Sequence, residues 1–163
     1  MKKAIVPVAS AAGFQQALQK MAALCSTAEH CESEIREKLT RAGLSTDDAD
    51  RVIDRLYDEG FLNTERYCRA FVRDKFRYAR WGRIKIAQAL RLKRLPDSDI
   101  RLAIEEELPE ADYQALLAHL IQQKANTLPS DLDAYTRRGK LIRFALSRGF
   151  TMDEAIDAVG DGN

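Results

Sequence analysis

The sequence predicts an all-α protein made of three tandem three-helix modules that form an elongated, curved array. Three observations carry that expectation. Apolar residues recur at helical spacing along nearly all of the 163 residues, and no segment alternates convincingly with period two. Glycine and proline fall between the periodic segments as punctuation. One helical pattern also occurs three times, as EIREKLTRAGLSTDDADRVI, KIAQALRLKRLPDSDIRLAI and KLIRFALSRGFTMDEAIDAV. Superimposed, these align Ile35 with Ile86 and Leu141, Leu39 with Leu90 and Ala145, Leu44 with Leu95 and Phe150, and Ala49 with Ile100 and Ala155. Gly43 and Gly149 hold the turn in the outer copies and Arg94 holds it in the middle one. Each copy follows one longer helix, which sets module boundaries at 14–62, 63–109 and 110–160 after a flexible N-terminal tail over 1–13. A module of that size has little core of its own and gains stability by packing on a neighbour.

The elements follow in order. FQQALQKMAAL, from Phe14 to about Leu24, puts Phe14, Ala17, Leu18, Met21 and Leu24 on one face. SEIREKLTRAG buries Ile35 and Leu39 and stops at Gly43, a residue suited to the left-handed position past a helix end. Ser45 caps STDDADRVIDRLYDEG, and Asp47 and Asp48 in its first turn suit the helix dipole. Asn63 caps the next helix, which is expected to run unbroken to Trp81-Gly82. RIKIAQALRLKRL comes after it and is broken by Pro96. PDSDIRLAIEEEL and ADYQALLAHLIQQKANTL come next, the second led by Pro109. DAYTRRGKLIRFALSR is expected to be interrupted at Gly139. In TMDEAIDAVG, Thr151 and Glu154 have the spacing of a capping box.

Charge is distributed unevenly under a net balance of only +1. Residues 1–65 hold 8 Lys and Arg against 11 Asp and Glu, and residues 66–101 hold 12 against 3. The basic centre points to an anionic partner. Arg66, Arg69, Arg73, Arg77 and Arg80 recur at spacings of three and four, which on an ideal helix confines them to an arc of about 80°. A solvated face usually mixes charges at i,i+4, and this row has only Asp74 within it. The row is therefore a candidate binding surface, or else a counter-surface to acids such as Glu105, Glu106 and Glu107. Arg83, Lys85, Arg91 and Arg94 extend the basic field. A second cluster comprises Arg137, Arg138, Lys140, Arg143 and Arg148. Lys93 falls on an apolar face, where its stem can snorkel. Lys75 lies in the middle of the apolar arc of its helix, with no reason visible in the sequence.

No catalytic constellation is present: there is no phosphate-cradling glycine loop, no His-Glu-x-x-His and no Gly-x-Ser-x-Gly. No metal or other cofactor is expected. His30 near Cys25 and Cys31 lacks a fourth ligand at zinc spacing, and His119 reads as partly buried and structural. The three cysteines, Cys25, Cys31 and Cys68, fit small, partly buried apolar residues in a reducing cytoplasm. No apolar run reaches the roughly 18 residues of a membrane span. Trp81 fits a tight interhelical corner beside Gly82.

The chain resembles the RecX family, whose members regulate the bacterial recombinase RecA. The resemblance rests on EIREKLTRAG, on LYDEGFLNTERYCRAFVRDK, and on RWGRIKIAQALRLKRL with its Gly82, Lys85, Ile86 and Leu90. RRGKLIRFALSRGF matches more loosely, and the likeness extends from about Phe14 to Val159. It implies a cytoplasmic, monomeric, non-enzymatic protein that binds RecA–DNA filaments and inhibits recombinase, ATPase and strand-exchange activity in DNA repair and the SOS response. The partner of the basic residues is then RecA, single- or double-stranded DNA, or both. A helix-turn-helix-like DNA-binding protein acting independently of RecA, or a purely structural helical adaptor, are the alternative classes.

Overall fold

The computed structural model describes residues 10–161. Every regular element among them is helical: α1 (Ala11–Thr27), α2 (Glu32–Arg41), α3 (Thr46–Asp58), α4 (Thr64–Asp74), a π turn (Lys75–Ala79), α5 (Arg83–Leu92), α6 (Asp97–Glu107), α7 (Glu110–Thr127), α8 (Ala134–Ser147) and α9 (Met152–Val159). The expected tail lies outside the described residues as far as residue 9. Its last residues are helical, because Ser10 accepts a hydrogen bond from the Gly13 amide at 3.1 Å and starts α1 before Phe14. The Asn63 cap is present, with its Oδ1 accepting from the Arg66 amide at 2.8 Å. So is the capping box of Thr151 and Glu154. Two expectations fail. Gly139 does not interrupt α8, since one glycine inside a well-packed helix costs too little to break it. The arginine-row helix does not run unbroken to Trp81, because its α-helical part ends at Asp74.

The repeat register appears directly in the backbone. Gly43, Arg94 and Gly149, the three aligned turn positions, all have left-handed φ values, of 88°, 63° and 97°. Two of the three are glycine, which enters that region without steric cost; Arg94 enters it at a cost.

The described chain divides into two compact units, with one division inside α4 between Tyr67 and Cys68. The first unit contains α1 to α3, the start of α4 and residues 93–95. Both α1 and α2 pack on α3. Ile35, Leu39, Val52, Ile53 and Leu56 are fully buried there, with Leu18 and Met21 of α1 closing the cluster. A polar cluster lies beside this core. Glu34 accepts from the Tyr67 hydroxyl at 2.8 Å and from Lys93 Nζ at 2.8 Å, and lies 2.9 Å from His30 Nδ1. Burial by itself would raise the Glu34 carboxyl, but the hydrogen bonds from Lys93, Tyr67 and His30 outweigh it and hold the group at about 2. Burial and the same carboxylate push Tyr67 up, and the bond to Glu34 raises Lys93. Lys93 lies in the turn after α5 and reaches the Glu34 carboxylate from there.

The second unit contains the rest of α4, the π turn and α5 to α9. Its centre is a meeting of two backbone corners. The Gly82 amide donates to the Arg148 carbonyl at 2.7 Å, and the Ile84 amide donates to the Gly149 carbonyl at 3.0 Å. A methyl group on Gly82 would overlap the Gly149 carbonyl and lie 2.7 Å from the Phe150 amide nitrogen. One on Gly149 would lie 2.8 Å from the Lys85 amide nitrogen. Tyr113 is fully buried between Phe76 and Phe150, with ring centroids at 6.0 and 5.1 Å. Its hydroxyl accepts from the Arg83 amide at 3.0 Å and donates to Glu154 at 3.3 Å. Burial pushes that phenol up to about 12, although the Arg83 amide pulls the other way.

Backbone cannot yield to an inserted methyl as a flexible side chain can. Gly82→Ala is therefore expected to lower stability by roughly 3 kcal/mol in urea denaturation. Gly139→Ala, in an α-helical interior whose nearest neighbour is the Arg143 guanidinium at 3.8 Å, is expected to raise it by about 0.5–1 kcal/mol. Glu34 supplies a pH dependence. Its folded value lies below its ordinary 4.5, so its contribution is complete above about pH 5 and is lost as pH falls toward 2. Screened by the solvent that reaches the pair, the full effect is roughly 1–2 kcal/mol. Glu34→Gln should be less stable than the parent at pH 7, with the difference shrinking by pH 3 in the same assay.

Candidate nucleic-acid interface

The arginine row divides in the folded chain. Its first part pairs with carboxylates. Arg66 Nε donates to Glu29 in the first unit. In the second unit Arg69 pairs with Glu106, and Arg73 lies 3.5 Å from Glu107, both acids at the end of α6. The later part is turned away from this row. A π turn adds a residue to the helical circuit and rotates the residues after it by about 100° relative to an unbroken α-helix. Arg77 and Arg80 lie in or beyond that turn and do not share the ideal arc. Arg77 is exposed and has no ion-pair partner among the described residues. Arg80 takes a left-handed φ of 56° and donates to the Gln123 side chain at 3.1 Å.

The same turn accounts for Lys75. Its ammonium lies over the rings of Phe71 and Trp81, at 5.4 and 4.8 Å from their centroids. Lys85 sits over the Trp81 ring at 4.8 Å, and its Nζ is 3.5 Å from the Ser147 carbonyl. Trp81 is half-buried and supports two lysines. Ser147 lines a groove of about 350 Å³ between α7 and α8, together with Lys124, Leu128, Lys140, Arg143 and Phe144. Lys124 lies over the Phe144 ring at 5.4 Å, and it follows Gln123, the partner of Arg80. These contacts link Lys75, Arg80, Lys85, Lys124, Lys140 and Arg143 into one basic lane within the second unit. None of the six has a carboxylate partner among the described residues. Positive charge that the fold leaves uncompensated beside half-buried aromatic rings suits phosphate contact.

Most of the remaining predicted residues are engaged elsewhere. Arg83 pairs with Glu110 at 2.6 Å and Glu154 at 3.3 Å and lies over the Tyr113 ring, so it braces the Gly82 corner. Arg91 pairs with Asp97 at 2.9 Å. Arg137 and Arg138 donate to the Ala125 and Gly160 carbonyls near the ends of α7 and α9, where the helix dipole favours cations. Arg148 donates to the Ala79 carbonyl. Arg94 is exposed in its left-handed turn. Sequence reasoning did not select Lys75 and Lys124 for the site. Only the oddity of a lysine in an apolar arc pointed toward the first, and nothing local marked the second. His119 is exposed rather than partly buried, since α7 turns it away from Leu117 and Leu120.

Family models described as the first, second and third three-helix domains of RecX match residues 17–56, 63–104 and 110–159. The chain is 32% identical over 149 residues to the regulatory protein RecX of Prosthecochloris aestuarii, covering 87% of this chain and 95% of that one. It is 32% identical over 131 residues to the regulatory protein RecX of Pseudomonas savastanoi pv. phaseolicola, covering 80% and 81%. With the regulatory protein RecX of Clostridium perfringens it shares 34% identity over 123 residues, or 75% of this chain and 57% of the other, so it spans little more than half of that relative. The fold is similar to that of the crystal structure of RecX from Lactobacillus salivarius, with a TM-score of 0.81, 18% identity, and coverage of 90% of this chain and 94% of that one. A second crystal structure of regulatory protein RecX matches with a TM-score of 0.78 at 22% identity, covering 88% and 71%.

The division between paired and unpaired arginines has a measurable consequence for stability. Arg69→Glu sets a carboxylate against Glu106 and is expected to cost about 1 kcal/mol. Arg143→Glu breaks no ion pair and should stay within about 0.5 kcal/mol of the parent. Urea denaturation of both variants checks the contrast.

Proposed function

The chain belongs to the RecX family of regulatory proteins, and from that premise we propose that it is a non-enzymatic inhibitor of the RecA–DNA filament, holding DNA phosphates along the basic lane of its second unit. The single observation that supports this reading is the set of six linked cations, Lys75, Arg80, Lys85, Lys124, Lys140 and Arg143, without carboxylate partners among the described residues. Elsewhere on this unit Arg69, Arg73, Arg83 and Arg91 are matched to acids and Arg138 to a carbonyl oxygen, whereas the lane gathers six cations with no acid among them. The lane is thus the surface with a surplus to offer an anion. No helix among the described residues is long and apolar enough to cross a membrane, and the filament on which the protein is proposed to act lies in the cytoplasm. The protein acts there as a monomer, and its other surfaces contact the recombinase.

Phosphate contact by up to six cations implies an affinity that falls steeply with salt, with a log–log slope of about −4 for single strands. It also implies indifference to base sequence, because phosphate contacts position without specifying.

The test is RecA's DNA-dependent ATPase on single-stranded DNA, titrated with the parent and with two variants at low and moderate salt. Lys124→Glu/Lys140→Glu/Arg143→Glu should raise the half-inhibiting concentration at least about tenfold, three lost phosphate contacts being ample for that. Arg69→Ala/Arg73→Ala should stay within about twofold, since both residues already have acids. Full inhibition by a folded lane variant would remove the assignment. Strong preference for one duplex sequence would favour the DNA-binding class that acts without RecA.

A further inference from the structure

We propose that the cleft between α1 and α2 in the first unit is a docking site for an acidic protein segment that carries an apolar anchor. Both helices lie on α3, and between their other faces they leave a cleft of about 700 Å³. Met21 and Leu39 form its buried floor, with Leu24 half-buried beside them. Ala17, Ala23 and Ala42 line the walls, so a partner's side chain can approach the floor without meeting a bulky residue. Lys20, Lys38 and Arg41 stand on the rim, all exposed.

Charge identifies the occupant. The described part of this three-helix region, residues 10–62, holds six cations, and four have carboxylate partners: Arg36 with Asp50, Arg41 with Glu37, Arg51 with Asp48 and Arg55 with Glu59. The remaining two are Lys20 and Lys38, which have no such partner among the described residues, and both stand on this rim. Residues 1–65 carry more acids than bases, yet none of the acids lines the cleft. An apolar floor under a rim that carries two unmatched lysines is complementary to carboxylates flanking a leucine-like side chain. No aromatic ring lines the cleft, so it lacks the stacking surface a single-stranded nucleic acid would use. The inference stands apart from the basic lane, which lies in the other unit.

The probe is a fluorescein-labelled twelve-residue peptide of glutamate with leucine at helical spacing, followed by anisotropy with the full chain at physiological salt. Binding is expected, and Lys20→Glu/Lys38→Glu should weaken it at least about tenfold by reversing both rim charges. Ala23→Glu, an exposed helical position on the wall, should weaken it as well, and circular dichroism confirms that each variant is folded. The same peptide with serine in place of leucine should bind at least about tenfold more weakly, since the floor is apolar. Lys140→Glu/Arg143→Glu should leave peptide affinity unchanged. Affinity within twofold for the Lys20/Lys38 variant would overturn the proposal, as would equal binding of the serine peptide. It would also fall if loss occurred only in the Lys140/Arg143 variant, or if sedimentation showed a dimer that the Lys20/Lys38 reversal dissociates.

Discussion

The approach of two backbone corners, at Gly82 and Gly149, is the constraint on which the second unit depends. Main chain meets main chain there, so the amide of one corner reaches the carbonyl of the other and no Cβ fits between them. Everything nearby is arranged to hold that approach. Tyr113 fills the space beneath it, Arg83 and Glu154 satisfy its hydroxyl, and Arg148 returns a guanidinium to the end of the π turn. The segment RWGRIKIAQALRLKRL, on which the family likeness rests, includes this corner. Gly82 needs its missing side chain, Lys85 lies against Gly149, and Ile86 is fully buried.

The basic lane arises from the same corner. The π turn ends at Ala79 and is capped by Arg80, shortly before Gly82, and so sends Trp81 to where Lys75 and Lys85 both cover its ring. The corner also brings Ser147, at the end of α8, within reach of Lys85. A structural contact therefore sets the spacing of surface cations that are remote in sequence. In the first unit, Glu34 holds a comparable place. One carboxylate gathers Tyr67, Lys93 and His30 and stays ionised because three donors outweigh its burial.

Charge pairing separates the arginines that the fold neutralises from those it leaves unmatched. A row of five on one helix suggested a single working face, yet Arg66, Arg69 and Arg73 face Glu29, Glu106 and Glu107. The run of three acids at the end of α6 proves to be in part their counter-surface. Half-exposed pairs of this kind contribute little to stability and can still be drawn on by a partner. The unmatched cations of the lane have no internal competitor to displace.

The features that the sequence determined by itself were local or periodic. Helical spacing, the caps at Ser45, Asn63 and Thr151, and the threefold register that aligns Gly43, Arg94 and Gly149 are properties of neighbouring residues, and they reappear in the backbone. Tertiary structure alone decided which cations keep a free charge, because the acids that neutralise Arg69 and Arg73 lie more than thirty residues away. It also decided the π turn. Its residues would continue an α-helix, and the contacts that accompany the wider turn come from Trp81 and from Arg148, the latter at the far end of α8. Local preference cannot register a partner that only the folded chain brings near.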